Sequence, residues 1–275
     1  KNLTFEYDKS DSRYKMHGSL KSKLEGNEIE LKLGNSTEPG LVIKNGDVKK
    51  VETSVTADFS FADITFTPTD LTFLYNESSD LFEMFGGADT SFDGESIAVS
   101  LGNSGSPGLK YKNKKIEKIN MGVTTDFTIK NLEIEPKNLT FEYDKSDSRY
   151  KMHGTLKSKL ESNEIELELG NSTDPGLVIK NGDVKKVKTL VTADFSFADI
   201  KFKPTNLTFL YNESSDLFEM YGGADTSFDG ESISVSLGAS DSPGLEYKDS
   251  VVDKINMGVS SDFTIKDLEI EPKNL

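Results

Sequence analysis

The sequence predicts an all-β protein made of tandem 68-residue antiparallel repeats, which form an elongated rod as a continuous sheet or sandwich. Three observations support this prediction. Apolar and polar residues alternate with a period of two, as in half-buried strands. Turn-forming residues separate these stretches. A set of positions then recurs every 68 residues without insertion or deletion, which is typical of units that bury their apolar faces on neighbours.

The repeat runs through the whole chain. Positions that recur at this spacing in all four units are Leu3, Phe5, Tyr7, Met16, Gly18, Gly34, Pro39, Gly40, Leu41, Asp58, Phe59 and Pro68. Alternate units match far better than adjacent ones, which indicates a later duplication of a 136-residue doublet. We therefore divide the chain into repeats 1–68, 69–136, 137–204 and 205–272, and residues 273–275 begin a further repeat.

Six strands are predicted in each repeat, and no helix. In the first repeat they lie near residues 3–8, 12–24, 28–34, 40–44, 47–61 and 63–67. The first strand alternates Leu3, Phe5 and Tyr7 with polar residues, and the fifth has a longer stripe of the same kind from Val51 to Phe61. The abundance of Thr, Val, Ile, Phe and Tyr favours strands as well.

The turns between these strands have recognisable chemistry. Polar turns follow the first strand at Asp8–Asp11 and, in the second repeat, at Asn76–Ser79. Gly26-Asn27 and Asp93-Gly94 stand where a tight hairpin needs a positive φ angle. Lys44-Asn45-Gly46-Asp47 is a strong hairpin signal between the fourth and fifth strands.

Adjoining repeats are joined without a linker rich in Gly, Ser or Pro. Only Thr69 and Asp70 separate the end of the first repeat at Pro68 from the apolar stretch that begins at Leu71. Domains that move independently of one another are usually joined by such a linker, so we expect repeats that are fused or that pack stiffly against each other. One possible layout is a continuous sheet or two-layer sandwich through all four units. In the other, each unit or doublet closes as a small sandwich, but 68 residues are few for independent stability, which favours the first layout.

Composition narrows the possible partners. The net charge of -15 argues against nucleic acid and anionic membranes, because both bind basic patches. Without cysteine the chain forms no disulfides, and no apolar run is long enough for a membrane helix. Lys1 opens no signal peptide, and both ends read Lys-Asn-Leu. We therefore expect a segment of a longer array, with export signals and anchors elsewhere.

A candidate calcium site lies in the second and fourth repeats. Its candidate ligands are Asp89, Ser91, Asp93, Asp225, Ser227 and Asp229. Oxygens at positions one, three and five, followed by glycine at six, match the first half of a calcium loop, although Ser100 and Ser236 stand where an acidic residue is needed. The alternative is a strand that ends in an Asp-Gly hairpin turn. Calcium between repeats, held by Asp8, Asp11 or Asp80, is a further possibility, and no other cofactor is predicted.

No catalytic residues are predicted. His17 and His153 stand where the other repeats have Phe85 and Tyr221, which indicates a packing or surface role. With no cysteine and two such histidines, nucleophilic triads are effectively excluded. Carboxylates at a spacing of two, such as Glu28 with Glu30, Glu133 with Glu135 and Glu269 with Glu271, are interpreted as solvated strand faces. An aspartate that recurs in all four repeats is assigned a structural role at a bulge or edge, and its copies are Asp58, Asp126, Asp194 and Asp262.

Several strings in the chain resemble a known class of repeats. They are Gly40–Gly46, Val55–Asp58, Leu71–Tyr75, Asp80–Gly86 and Val99–Gly102. Similar tandem repeats occur in very large secreted or surface proteins of bacteria such as planctomycetes and cyanobacteria. The resemblance implies an extracellular structural or adhesive array and supplies no catalytic residues.

We therefore expect a non-enzymatic structural segment of a long extracellular surface protein, which acts as a stalk, fibre or sheath. Its partners would be neighbouring repeats and copies of itself in a fibre or sheath, without nucleic acid or membrane insertion. One alternative is an adhesin module that binds calcium or a glycan. Another is a lipid-conducting β-groove, since long sheets that are apolar on one side can line a path for acyl chains.

Overall fold

The computed structural model confirms an all-β protein with a large antiparallel sheet of many strands, and the described residues contain no helix. The structure describes residues 3–24, 26–61, 64–92, 95–113, 115–129, 132–144, 148–160, 163–180, 183–197, 200–212, 214–228, 230–249, 251–265 and 268–273.

The strands follow one another along the chain with short connections. The first sixteen are β1 (Leu3–Asp8), β2 (Arg13–Leu24), β3 (Asn27–Lys32), β4 (Leu41–Lys44), β5 (Asp47–Val55), β6 (Phe59–Phe61), β7 (Ile64–Asn76), β8 (Leu81–Phe92), β9 (Glu95–Ser100), β10 (Gly102–Asn103), β11 (Ser106–Pro107), β12 (Leu109–Lys112), β13 (Lys115–Val123), β14 (Phe127–Ile129), β15 (Leu132–Asp144) and β16 (Arg149–Leu160).

The remaining strands are β17 (Asn163–Glu168), β18 (Leu177–Lys180), β19 (Asp183–Val191), β20 (Phe195–Phe197), β21 (Ile200–Pro204), β22 (Thr208–Asn212), β23 (Leu217–Tyr221), β24 (Gly223–Phe228), β25 (Glu231–Ser236), β26 (Gly238–Ala239), β27 (Ser242–Pro243), β28 (Leu245–Lys248), β29 (Val251–Ile255), β30 (Gly258–Val259), β31 (Phe263–Ile265) and β32 (Leu268–Ile270).

The chain forms two compact units. One consists of residues 1–125 with 140–150, and the other of residues 126–139 with 151–275. Strand bounds recur at the repeat spacing, since β2, β8 and β16 begin 68 residues apart. The division into four repeats as domains stays a prediction.

The alternation of apolar and polar residues explains the sheet of the first unit. In β3, Ile29 and Leu31 are buried, while Glu28 and Lys32 are exposed. β3 pairs antiparallel with β2 on one side and with the end of β5 on the other. β3 therefore turns one face to the core and the other to water, as a period of two predicts.

Two of the predicted turns are confirmed, and a third lies outside the described residues. Lys44 pairs with Asp47, and Asn45 and Gly46 between them have φ angles of 55° and 85°. Positive φ at both central residues is the mark of the two-residue turn that suits hairpin twist. At the β2–β3 turn, Gly26 has a φ angle of 92°. Asp93-Gly94 is not among the described residues.

The prediction of one strand over 47–61 is wrong, because the structure has two strands there. The backbone N–H of Thr56 donates to the carbonyl oxygen of Glu30 at 3.0 Å, which holds the chain beside β3 where β5 ends. The chain then bends, and β6 pairs with β7. Alternation continues through the bend, so the sequence pattern did not reveal the break.

The recurring aspartate lies in this bend and in its equivalents. All four copies are exposed between strands, and they are Asp58, Asp126, Asp194 and Asp262. The carboxylate of Asp194 forms an ion pair with Lys201 at 3.0 Å. A position at the end of a strand explains how aspartate fits a region that is otherwise typical of strands.

The last predicted strand of the first repeat, 63–67, is longer than expected. β7 continues from Ile64 to Asn76, with a bulge between Pro68 and Asp70. Proline has no N–H to donate, so a bulge is a position that it can occupy in a sheet. β7 pairs with β6 before the bulge and with β5 after it, and β8 accompanies both parts. Two predicted strands and the segment between them are therefore one strand.

Gly86 allows β8 to follow this bulge. Its φ angle is 112°, which side chains rarely permit, and a Cβ atom there would lie 1.8 Å from the carbonyl oxygen of Asp70. Glycine is therefore required where β7 and β8 bend together.

The core of the first unit is a row of apolar side chains across neighbouring strands. Phe73 of β7 lies opposite Met84 of β8, Met84 opposite Leu109 of β12, and Leu109 opposite Ile119 of β13. All four side chains are buried. Cross-strand pairs of this kind are the unit of sheet stabilisation.

The core of the second unit encloses a small void. It has about 10 Å³ of free space and is lined almost entirely by apolar side chains, among them Phe127, Leu156, Leu167 and Val187. That space is at the lower limit for a single water molecule. This void therefore has no room for an acyl chain.

Candidate functional site

The candidate calcium ligands lie on extended strands where the structure describes them. Asp89 and Ser91 belong to β8, and the backbone of Asp89 lies between Thr67 and Ala98 of the neighbouring strands. Alternate residues of a strand share one face, but about 6.6 Å of backbone separates them, whereas a calcium loop folds its ligands around the ion. Asp93 lies outside the described residues.

The fourth repeat has the same arrangement. Asp225 and Ser227 belong to β24, and Asp229 lies outside the described residues. The carboxylate of Asp225 accepts a hydrogen bond from the hydroxyl of Ser234 at 2.7 Å. Within the described part of the chain, no three His, Asp or Glu side chains lie close enough together to hold a metal. The calcium hypothesis stays a prediction.

The aspartates considered for calcium between repeats have partners within the protein. Asp11 forms an ion pair with Arg13 at 2.7 Å. Asp80 accepts a hydrogen bond from the Tyr75 hydroxyl at 3.0 Å, and this bond raises the pKa of Tyr75. These carboxylates are already used to close turns.

The interpretation of His17 agrees with its surroundings. Its Nε2 atom lies 3.4 Å from a carboxylate oxygen of Glu6 on the paired strand β1. A single contact across two strands is a surface interaction and does not resemble a catalytic dyad with an oriented nucleophile.

The paired carboxylates form ion pairs with lysines on exposed strand faces, either on a neighbouring strand or two residues along the same strand. Lys21 of β2 bonds to Glu28 of β3, and Lys159 bonds to Glu133 at 3.0 Å. Lys137 bonds to Glu135, and this bond lowers the pKa of the glutamate. For these pairs, the interpretation as solvated faces is confirmed, because the glutamate side chains are about half exposed or more.

One polar pair that closes the first hairpin was not found by sequence reasoning. Asp8 ends β1, and its carboxylate accepts hydrogen bonds from the N–H of Ser10 at 3.0 Å and from the Lys15 ammonium at 2.7 Å. The bond from Lys15 is the main reason that the pKa of Asp8 lies well below its usual range. The same bond raises the pKa of Lys15.

The second repeat has an equivalent side-chain hydrogen bond between its first two strands, but the carboxylate is Glu83 on β8 and its partner Asn76 on β7 is neutral. Asn76, at the position of Asp8, accepts from the N–H of Ser78 at 3.1 Å and donates to Glu83 at 3.1 Å. Glu83, at the position of Lys15, is buried, and Lys110 lies 3.9 Å from it. In the fourth repeat, Asn212 donates to Glu219 at 2.9 Å in the same way. Sequence comparison could have found this link, because two positions of the repeat change together: Asp8 with Lys15 in the first repeat becomes Asn76 with Glu83 in the second.

The most conspicuous surface feature is β1, which leaves its apolar side chains in water. Among the described strands only β2 pairs with β1, so the second edge of β1 is open. Leu3, Phe5 and Tyr7 are each about half exposed, as is Tyr14 on β2. Phe5 and Tyr14 stack with ring centroids 5.2 Å apart. Exposed apolar edge strands are unusual, since they are templates for pairing with another strand.

An internal strand of the same sequence is covered. Residues 137–154 are identical to residues 1–18. Phe141, the counterpart of Phe5, is 1% exposed, whereas Phe5 is 55% exposed. In the first unit, β13 pairs with this strand, and Met121 lies opposite Phe141. The candidate functional site is therefore a strand edge and apolar face, which we name the β1 edge (residues 3–8 with Tyr14).

The comparisons with known proteins add nothing to these observations. The described part of the chain contains no helix long and apolar enough to cross a membrane. No family model, no curated protein and no solved structure matches the chain.

Proposed function

We propose that this chain is a non-enzymatic structural segment of a long extracellular surface protein, in which it serves as a stalk, fibre or sheath. One hydrogen-bonded strand, β7, runs from the first repeat into the second, and another, β15, runs from the second into the third; such shared strands make the array resist bending. One observation carries the proposal: β7 passes from the first repeat into the second and is paired with β5 and β8 after the boundary. A flexible linker would leave the backbone at this boundary hydrated and mobile.

The extracellular location rests on the sequence. The strings that resemble repeats of large bacterial surface proteins run through all four repeats. A net charge of -15 suits a long exposed array, because like charges keep neighbouring molecules apart.

The exposed sheet faces support the same role. Lys21 with Glu28 and Lys157 with Glu164 form cross-strand pairs on these faces. Each such surface pair contributes little to stability, at most about 1 kcal/mol. Charged faces nevertheless limit unwanted lateral association of sheets. Binding between molecules is then directed to strand edges.

Electron microscopy of shadowed particles tests the proposal. We compare the 275-residue chain with a chain in which residues 1–272 occur twice in tandem. A stiff array predicts particles whose length doubles while their width stays constant. A third chain, with a flexible Gly/Ser linker inserted after Pro136, is the control and should show a kink of variable angle.

Two results would overturn the proposal. One is a compact particle whose width grows with copy number. The other is an unmodified chain that bends as freely as the chain with the inserted linker.

A further inference from the structure

The second repeat has an open groove of about 280 Å³ along β13. Lys118, Asn120 and Gly122 line it, and they alternate with the buried Ile119 and Met121. Lys118 is exposed, and Asn120 and Gly122 are half-buried. The groove therefore lies on the face of β13 that is turned away from the core. β13 is an inner strand at this point, since it pairs with β12 and β9 on one edge and with β15 on the other.

Small side chains keep this groove open. A Cβ atom added at Gly122 would meet nothing within 4 Å, whereas the third repeat has Leu190 at the same position. Ser106, which also lines the groove, stands where the first and third repeats have Glu38 and Asp174. The second repeat has thus exchanged large or charged side chains for small ones around this space.

Lys118 is the only charged side chain that lines the groove, and its counterparts in the other repeats form ion pairs. These pairs are Lys50 with Glu52 at 3.0 Å, Lys186 with Asp174 at 3.1 Å and Lys254 with Glu246 at 2.7 Å. At the positions of the three carboxylates, the second repeat has Asn120, Ser106 and Lys110. Among the side chains that the structure describes, no carboxylate pairs with Lys118.

The charges around Lys118 favour a bound anion. Lys110 lies opposite Lys118 in the β12–β13 ladder, and like charges in such positions repel. Lys110 has a carboxylate 3.9 Å away in Glu83, so Lys118 is the lysine left for a ligand. Glu142 lies opposite Asn120 on β15 but does not line the groove. A carboxylate in the groove would replace the partner that Lys118 has in the other repeats.

We propose that this groove binds an acidic saccharide, with the carboxylate of a uronate residue at the Lys118 ammonium and the ring hydroxyls at the neutral polar side chains around it. These side chains are Ser100, Ser106, Asn120 and Thr140. Hydroxyl and amide groups both donate and accept hydrogen bonds, as sugar hydroxyls do. A bond between ammonium and carboxylate is charge-assisted and therefore strong.

The size of the groove suits this ligand. Small-molecule sites usually have volumes of about 300 to 1,000 Å³, and the groove lies just below that range. Such a space suits a single sugar ring, and the rest of a saccharide chain would lie in water. The inference goes beyond the proposed function, because a stalk needs no ligand.

NMR titration of the native chain with three matched probes tests the proposal. Galacturonate carries both the carboxylate and the hydroxyls, galactose carries the hydroxyls alone, and acetate carries the charge alone. Galacturonate should shift the amide signals of Gly102 and Gly122 in a saturable way. Galactose and acetate should each bind at least about tenfold more weakly, because each lacks one half of the recognition.

Two variants locate the binding at the groove. Lys118→Gln removes the cation and should weaken galacturonate binding by about tenfold or more. Lys50→Gln is the matched control in the first repeat, where the lysine is paired with Glu52, and should change nothing. Gly122→Leu copies the third repeat, fills the groove and should abolish binding. Circular dichroism verifies that each variant is folded.

A trisaccharide of galacturonate distinguishes the two sources of such a ligand. Tighter binding than that of galacturonate supports the site as one for a polysaccharide, and equal binding supports it as one for a free sugar acid.

Three results would overturn the inference. They are the absence of saturable shifts with galacturonate, galactose binding as tight as galacturonate binding, and galacturonate binding that Lys118→Gln leaves unchanged. Each of them leaves the proposed function intact, because that proposal is decided by particle length and stiffness.

Discussion

At the scale of single residues, Asp8 and Asn76 hold the same position of the repeat and make the same link with different charges. Asp8 accepts a hydrogen bond from Lys15, whereas Asn76 donates one to Glu83. Both also cap the following turn through a side-chain oxygen. An Asx turn of this kind fixes where a strand ends, which explains why the position is polar in every repeat.

The first prediction concerns the pKa of Asp8. The hydrogen bond from Lys15 lowers this pKa below the usual value of 3.8. A lowered folded-state pKa means that the link contributes stability above about pH 4, and this contribution is lost as the pH falls through the folded-state value. NMR titration of the Asp8 carboxyl carbon should show the low pKa, and Lys15→Met should raise it toward 3.8. Lys32→Met serves as the control and should leave the titration unchanged.

The second prediction concerns replacing the Asn76–Glu83 pair of the second repeat by the aspartate–lysine pair of the first. Asn76→Asp places a carboxylate beside the buried Glu83 and removes its donor, so unfolding in urea should show a loss of about 1 to 3 kcal/mol. Adding Glu83→Lys recreates the pair of the first repeat. Lys110 would then face a lysine, so Lys110→Val, which copies Val42, completes the exchange. The triple variant should recover most of the loss.

If Asn76→Asp leaves the free energy of unfolding unchanged, the hydrogen bond between Asn76 and Glu83 does not stabilise the hairpin. Failure of the triple variant to recover would show that the two repeats do not tolerate the same pair. The variant Glu83→Lys with native Asn76 is the control, because it buries a lysine without a carboxylate partner.

At the scale of strands, the bend shared by β7 and β8 shapes the sheet. The bulge between Pro68 and Asp70 lies across from Ala88 and Gly87, and Gly86 lies opposite the next residue, Leu71. Bulges change the direction of a strand and raise its twist locally. This bend lets one long strand pair with β6 along one part and with β5 along the other.

The third prediction tests the bend. Gly86→Ala should destabilise the protein by at least about 2 kcal/mol, because the new Cβ atom meets Asp70 and the φ angle of 112° is unfavourable for alanine. Gly122→Ala is the control, since a Cβ atom there meets nothing within 4 Å. Its effect on the urea midpoint should correspond to less than about 0.5 kcal/mol. Equal effects of the two substitutions would contradict the account.

Strand bounds were predictable where turn chemistry is local. The first strand and the hairpin at Asn45-Gly46 were predicted correctly because the turn residues themselves determine the backbone there. The break after Val55 was missed because apolar and polar residues keep alternating through it, and the change of partner from β3 to β7 is a tertiary feature. The continuity of β7 through Pro68 was missed because a proline usually ends a central strand, and the bulge that accommodates it is a tertiary feature.

The candidate site was less predictable than the fold. The apolar alternation of Leu3, Phe5 and Tyr7 is the same in every repeat, so it predicts a buried face equally well for each copy. Only the pairing of strands distinguishes the open β1 edge from the covered copy at residues 139–144.

At the scale of the whole molecule, we expect strand pairing alone to stabilise the protein. The calcium hypothesis differs, since a bound ion would then stabilise the turns. The fourth prediction separates them. Calcium up to about 10 mM, above the range of weak extracellular sites, should leave the melting temperature of the native chain unchanged. A rise that disappears in the variant Asp89→Ala with Asp225→Ala would establish the binding module instead.

The most direct test of the central claim is hydrogen exchange at the boundary between the first two repeats, followed by mass spectrometry at a concentration where the chain is monomeric. The account predicts slow exchange for peptides that cover residues 70–76, because β5 and β8 flank this part of β7. Residues 3–8 should exchange faster, since β2 alone among the described strands pairs with β1. Rapid exchange at residues 70–76, as fast as in the turn at residues 77–80, would reveal a hinge between repeats and contradict the account.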